Sequence, residues 1–148
     1  MEPAIETSTW EQYHANILHL VNNLGGYRPD VIAPCMLGGL VPGAIIAKRL
    51  GINDVRPIDI ERIGEKRRLA YDVQGDVKGK KILIVEDVTT SGGSVVKTIQ
   101  ILRENNAVVE KVLVVVDRET GAREQLQKLE VEFIPLVSVS EILKNKEI

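Results

Sequence analysis

Hydrophobic positions along this chain alternate between two patterns. Ile82, Leu83, Ile84 and Val85 form an unbroken, mostly β-branched run, and residues 112–116 (Val, Leu, Val, Val, Val) form another. Such runs, too short for helices and bounded by polar segments, predict strands buried on both faces of a parallel sheet. Between them the period changes to that of a helix. Val95, Ile99 and Leu102 fall on one face with Val96 beside them, as do Trp10, Tyr13, Ile17, Leu20, Val21 and Leu24. The alternation predicts an α/β fold: a doubly wound, mostly parallel sheet flanked by helices, with its site at the strand C-terminal ends near a topological switch point.

The remaining elements follow from local signals. Ser8, with Glu11 three places on, reads as the capping box of the first helix, which Gly25-Gly26 ends. His14 and His19 are five apart on that helix, share no face and read as solvated. A strand is predicted over 30–35, a loop over 36–40, and a helix over 41–50 with Pro42 in its first turn and Gly51 closing it. Cys35 reads as a buried strand-end residue. Residues 55–60 read as a strand. Residues 61–79 are a charged run punctuated by Gly64, Gly75 and Gly79, in which Arg62, Lys66, Arg67 and Arg68 cluster. On composition alone it is a solvated surface hairpin; a loop of that length without regular structure would instead be functional or disordered. A strand within 108–116, a short helix over 122–129 and a strand over 131–135 come next. A terminal helix capped by Ser138 or Ser140 runs through Leu143.

Composition narrows the function classes. At 148 residues the chain is expected to form one domain, 1–148, able to bury a core. Aromatics at 3% argue against a stacking platform for single-stranded nucleic acid, and a net charge of −2 supplies no basic field for it. A single cysteine excludes an internal disulfide framework and a Cys-based zinc site, and suits a reducing cytoplasm. No apolar run reaches membrane-spanning length, and Met1-Glu2-Pro3 lacks the pattern of a secretory leader. No nucleic acid and no membrane are therefore expected as partners.

Candidate chemistry concentrates where the 82–85 strand ends. Glu86 and Asp87 are adjacent carboxylates, and a turn of hydroxyls and glycines follows: Thr89, Thr90, Ser91, Gly92, Gly93, Ser94. A strand that runs through small residues into a helix N-terminus offers unpartnered amides and a favourable dipole to an anion. The hydroxyls add donors, and the glycines let the backbone approach closely. Two acids directly before such a cradle repel each other unless ribose hydroxyls or a metal-bound polyphosphate use their acceptors.

The stretch Val85-Glu86-Asp87-Val88-Thr89-Thr90-Ser91-Gly92-Gly93-Ser94 resembles the PRPP-binding motif of the type I phosphoribosyltransferases. The resemblance implies that Glu86 and Asp87 hold the ribose hydroxyls and that the turn from Val88 to Ser94 wraps the 5′-phosphate. It implies that Met36, Leu37, Gly38 and Gly39 form the pyrophosphate loop. Here Met36 and Leu37 depart from the serine or basic residue of many relatives, which leaves backbone amides to do the binding. The basic run then matches the family's mobile active-site loop, with Lys66, Arg67 and, less strongly, Arg68 brought to the departing pyrophosphate. The implied reaction transfers the ribose 5-phosphate group from PRPP to a nucleobase, with Mg²⁺ arriving on PRPP and held mainly by its oxygens and waters. The protein supplies no metal site of its own in this reading. A homodimer is the family habit.

For the acceptor, Val116-Asp117-Arg118-Glu119-Thr120-Gly121 is similar to orotate phosphoribosyltransferases. Arg118 matches their base-contacting arginine and Arg123 their second one, apt for an acidic pyrimidine. Thr90 stands where purine relatives place an aspartate, and their lysine near Asp117-Arg118 is missing. Against orotate, few residues precede the first strand, so the hood that covers the base is minimal, as in compact purine enzymes. Three alternatives stay open: a hypoxanthine, guanine, xanthine or adenine phosphoribosyltransferase, a non-catalytic PRPP- or nucleotide-sensing homologue, and an unrelated mononucleotide-binding module.

Overall fold

The computed structural model describes residues 8–144; the Met1-Glu2-Pro3 stretch read above lies outside them. In chain order the elements are α1 (Trp10–Asn22), β1 (Val31–Pro34), α2 (Leu40–Leu50), β2 (Ile60–Ile63), β3 (Lys66–Leu69), β4 (Ile82–Thr89), α3 (Gly93–Glu104), β5 (Lys111–Asp117), α4 (Ala122–Lys128), β6 (Glu132–Ser138) and α5 (Val139–Lys144). Four strands form an all-parallel sheet in the order β1-β4-β5-β6, and β2 and β3 form a separate antiparallel hairpin.

The continuous apolar runs are buried on both sides, as expected. Leu83 and Val85 of β4 face one core with Ile17, Leu20 and Val21 of α1 and Ile46 of α2. Ile82 and Ile84 face the other, with Val95, Ile99 and Leu102 of α3 and Leu126 of α4. Helices thus cover both faces of the sheet, the doubly wound arrangement. No helix among the described residues is long and apolar enough to cross a membrane.

Strand order locates the site. After β1 the chain crosses through α2 to the outer edge, where Val55 bridges Ile32 and Ile58 bridges Cys35. It then returns to pair β4 on β1's other side. The direction of winding therefore reverses between β1 and β4, and the loops leaving their C-terminal ends diverge around a crevice.

Several local expectations are corrected. Thr9, not Ser8, caps α1: its hydroxyl accepts from the Gln12 amide at 3.1 Å, and its own amide donates to Gln12 Oε1 at 2.8 Å. Trp10 leaves the packed face and stands 62% exposed. Residues 55–60 make only two isolated bridges, because the edge of β1 is short and Ile60 already belongs to the hairpin. The 61–79 run begins as the hairpin its composition indicates, not as a structureless loop. Ile60–Ile63 and Lys66–Leu69 pair across a two-residue turn at Gly64, whose φ of 63° is left-handed. Its return is pinned, since Arg56 donates to the carbonyls of Gln74 and Asp76 at 2.9 and 2.8 Å. Finally, β4 does not stop at Val85. Val88 and Thr89 still pair with Val116 and Asp117, so both acids lie within the strand.

Candidate active site

Two loops meet at the switch point. From β4, the turn over 90–92 leads into α3, whose N-cap is Gly92 with φ 82° and no side-chain capping bond. A side chain at Gly92 would also press on the Ala122 Cα at 3.0 Å, so only glycine turns the corner here. The first amides of α3 are left facing the turn. Thr89, Thr90, Gly92, Gly93 and Ser94 wall a small cleft of about 80 Å³, closed on one side by Arg67 of β3. Within this wall Thr89 is 2% exposed and its Oγ1 has no hydrogen-bond partner among the described residues. An orphaned buried hydroxyl is costly unless a ligand satisfies it.

From β1, the loop Met36, Leu37, Gly38, Gly39 leads into α2. Its Met36–Leu37 peptide is cis. The Gly39 amide donates to the Cys35 carbonyl at 2.8 Å, and the Cys35 amide donates to the Val85 carbonyl at the same distance. The loop is thereby laid directly against β4. A methyl on Gly39 would lie 2.6 Å from the Cys35 carbonyl oxygen, and one on Gly38 would overlap the Asp87 carboxylate. The glycines let the loop backbone reach the second acid.

Side chains alternate along β4, yet the two carboxyls stay within hydrogen-bonding reach of each other, and Glu86 also lines the small cleft. Asp87 points toward Gly38 and accepts from the Val88 amide at 2.7 Å. It also helps burial hold the Tyr13 hydroxyl above its ordinary value. Glu86 turns under the sheet end toward the Cys35 thiol and accepts from the Asp87 amide at 3.0 Å. Burial, and then the adjoining Asp87 carboxyl, push Glu86 up to about 8. The Cys35 thiol is 5% exposed and is itself raised by burial, with Glu86 adding to the effect. Glu86 is therefore largely protonated near neutral pH, able to donate as well as accept. Sequence reasoning did not pair Cys35 with Glu86. The signal was present in the parallel register, which sets Pro34 beside Val85 and so brings the next residues side by side.

A second, larger cleft of about 550 Å³ opens beside Asp87 and Gly38. Its other walls are Ser8 and Thr9 before α1, Trp10 and Tyr13 of α1, Val41 of α2, Val88, and Val115 and Val116 of β5. The two aromatic rings stack with centroids 5.8 Å apart. These lining residues were missed because a helical period assigned Trp10 and Tyr13 to the core. The cleft suits a flat, uncharged face.

The orotate-like arginines have different settings. Arg118 follows β5, its amide donating to the Thr89 carbonyl at 3.1 Å, and its exposed side chain is in neither cleft's wall. Among the described residues it forms no salt bridge. Arg123 lies 3.8 Å from the buried Asp117 carboxylate and over the Phe133 ring at 5.0 Å, a packing position. Of the cations on β3, Arg67 faces the phosphate-sized cleft, Arg68 pairs with Glu61 at 2.6 Å and Lys66 is exposed.

Comparison with known proteins agrees with this geometry. The model of the phosphoribosyl transferase domain matches residues 9–134. A curated orotate phosphoribosyltransferase from Pyrococcus horikoshii is 46% identical over 108 residues, which are 72% of this chain and 56% of that protein. The solved orotate phosphoribosyltransferase from Aeropyrum pernix superposes with a TM-score of 0.73 at 30% identity, covering 92% of this chain and 77% of that one. A purine phosphoribosyltransferase from Pyrococcus horikoshii shares the fold, with a TM-score of 0.73 at 24% identity over 88% of this chain and 85% of that one. The chain spans 40% to 68% of the length of the curated relatives it matches. Two glycine loops flanking a carboxylate pair at the switch point, and a family match that runs from α1 into β6, place this chain in the phosphoribosyl transferase domain family.

Proposed function

We propose that this protein transfers the ribose 5-phosphate group from PRPP to a nucleobase, with orotate the favoured acceptor, giving a nucleoside monophosphate and pyrophosphate. The observation that carries the reading is the cleft at the α3 N-terminus, with the unpartnered Thr89 hydroxyl buried in its wall. A phosphate monoester suits the uncapped helix amides and the hydroxyls of Thr90 and Ser94 in that wall. In this reading Glu86 and Asp87 hold the ribose hydroxyls, Val88 and the turn from Thr89 to Ser94 wrap the 5′-phosphate, and the 36–39 loop amides take the diphosphate. The reaction breaks the bond from the sugar C1 to a diphosphate oxygen and forms one from C1 to a ring nitrogen, which gives up its proton. Charge develops at C1 as the diphosphate leaves, so the protein's task is to fix both ends and exclude water.

Mg²⁺ fits this site through PRPP rather than through the chain. Asp87 offers hard oxygens beside the diphosphate loop for an ion that arrives on PRPP. When bound, the ion would neutralise the leaving diphosphate. Arg118, adjoining Thr89 through its backbone, is the candidate base reader for an acidic pyrimidine, which would place the reaction in pyrimidine nucleotide biosynthesis. A homodimer and a cytoplasmic location belong to the same reading. A purine acceptor is favoured by one observation: the cleft beside Asp87 is lined by aromatic and aliphatic side chains together with Ser8 and Thr9, and by no cation. Asp87→Asn tests the site. Turnover should fall at least about a hundredfold, as for loss of an interaction made in the transition state, with little change in melting temperature. Loss of stability with turnover retained would make Asp87 structural.

A further inference from the structure

The resemblance assigns the cations of the charged run to a departing pyrophosphate, but the hairpin sorts them by its two-residue period. On β3, Lys66 and Arg68 stand exposed, whereas Arg67 and Leu69 are turned inward, Leu69 onto the core beneath the phosphate helix. The guanidinium of Arg67 lies over Gly93, the first residue of α3. A methyl placed there would be 2.6 Å from its central carbon and 2.7 and 2.8 Å from its two terminal nitrogens. Arg67 makes no hydrogen bond or ion pair among the described residues, although Arg68 beside it is paired. Thr89, 2% exposed and with its hydroxyl unpartnered, also lines this 80 Å³ cleft. The pyrophosphate loop lies elsewhere. None of Met36, Leu37, Gly38 or Gly39 lines this cleft, and the segment after β3 reaches that loop through an uncharged contact, the Tyr71 hydroxyl to Met36 Sδ at 3.2 Å.

A planar cation with free donors and an uncapped helix N-terminus border a space the size of one phosphate. We infer that Arg67 is a specificity-determining residue for the 5′-phosphate monoester, not for the diphosphate. The hairpin β2–β3 thus closes from within the same chain on donor and nucleotide product alike. This rests on the proposed phosphoribosyltransferase reading and adds to it which end of PRPP the hairpin senses. The hairpin then stays engaged after pyrophosphate has left, and ribose 5-phosphate alone suffices to close it.

The test uses the full chain and two small probes, ribose 5-phosphate and Mg²⁺-pyrophosphate, titrated by calorimetry into the unmutated protein, Arg67→Ala and Arg67→Lys. Losing a charge-assisted, forked contact should weaken ribose 5-phosphate binding roughly ten- to a hundredfold in Arg67→Ala. Pyrophosphate binding should stay within about twofold, since ordinary surface changes move affinity no more than that. Arg67→Lys should recover part of the loss, keeping charge without the fork. Hydrogen exchange over residues 60–69 should slow with ribose 5-phosphate in the unmutated chain and not in Arg67→Ala. Weakened pyrophosphate binding with ribose 5-phosphate binding intact would overturn the inference, as would an equal loss for both. Failure of the unmutated chain to bind either probe would overturn the phosphoribosyltransferase reading, and this inference with it.

Discussion

Substituting Glu86 by glutamine should remove most of a pH dependence of stability that the carboxylate pair builds into the fold. In the native chain this carboxyl is pushed up to about 8 from an ordinary 4.5, first by burial and next by Asp87 beside it. A native value above the unfolded one means that folding favours the protonated form. The stability this group contributes is therefore fully present below about pH 4.5 and is lost as pH rises through 8. Each pH unit inside that window is worth about 1.4 kcal/mol, so between pH 5 and pH 8 the loss is about 3 to 4 kcal/mol. That is a large share of the ~5–15 kcal/mol that holds a domain folded. Glutamine keeps the acceptor that the Asp87 amide uses at 3.0 Å but carries no charge at any pH. The assay is urea unfolding of both proteins at pH 5, 6, 7 and 8 at constant ionic strength, with the difference between the two curves isolating Glu86. The two should agree within about 1 kcal/mol at pH 5, and Glu86→Gln should be more stable by about 3 kcal/mol at pH 8. Parallel curves would refute the claim that a half-buried, proton-holding carboxyl sits at the site.

Three further substitutions separate the site's parts. Gly39→Ala puts a methyl 2.6 Å from a backbone oxygen that cannot yield, so PRPP affinity should fall at least about tenfold and the melting temperature by roughly 2–10 °C; unchanged PRPP affinity would remove this loop from the site. Arg118→Ala should raise the KM for orotate by roughly tenfold or more while leaving PRPP binding unchanged, and an effect on PRPP alone would make it a scaffold for Thr89. Thr9→Ala should cost about 1 kcal/mol in urea unfolding and Ser8→Ala less than about 0.5 kcal/mol, and the reverse order would restore Ser8 as the cap.

What was legible in the sequence was whatever repeats along one element. Ile82 to Val85 and residues 112–116 declare buried parallel strands because every residue is apolar, and the hydroxyl-glycine turn declares an anion site because each residue type serves the same backbone task. Register and long-range placement were not legible. Ser8-Glu11 and Thr9-Gln12 are equally good capping boxes one residue apart, and the helix takes the second. Charge marked a surface hairpin within 61–79 but not its register, which sets Glu61, Lys66 and Arg68 on one face and Arg62 opposite Arg67 on the other. Glu86 and Asp87 looked like the end of a strand, yet β5 continues to pair beyond them, so both acids lie within β4. Trp10 has the right period for the core and the wrong neighbours, since α1 begins at the mouth of the cleft rather than over the sheet.

The measurement that bears most directly on the account is pyrophosphate release from PRPP and Mg²⁺, with orotate, uracil, adenine, hypoxanthine, guanine and xanthine offered in parallel. Release that depends on orotate is the expected result. Release with a purine alone would keep the transfer chemistry but move the acceptor to the apolar cleft beside Trp10 and Tyr13. Silence with all six bases, in a protein that still binds PRPP, would contradict the enzyme and leave a sensor built on the same phosphate cradle.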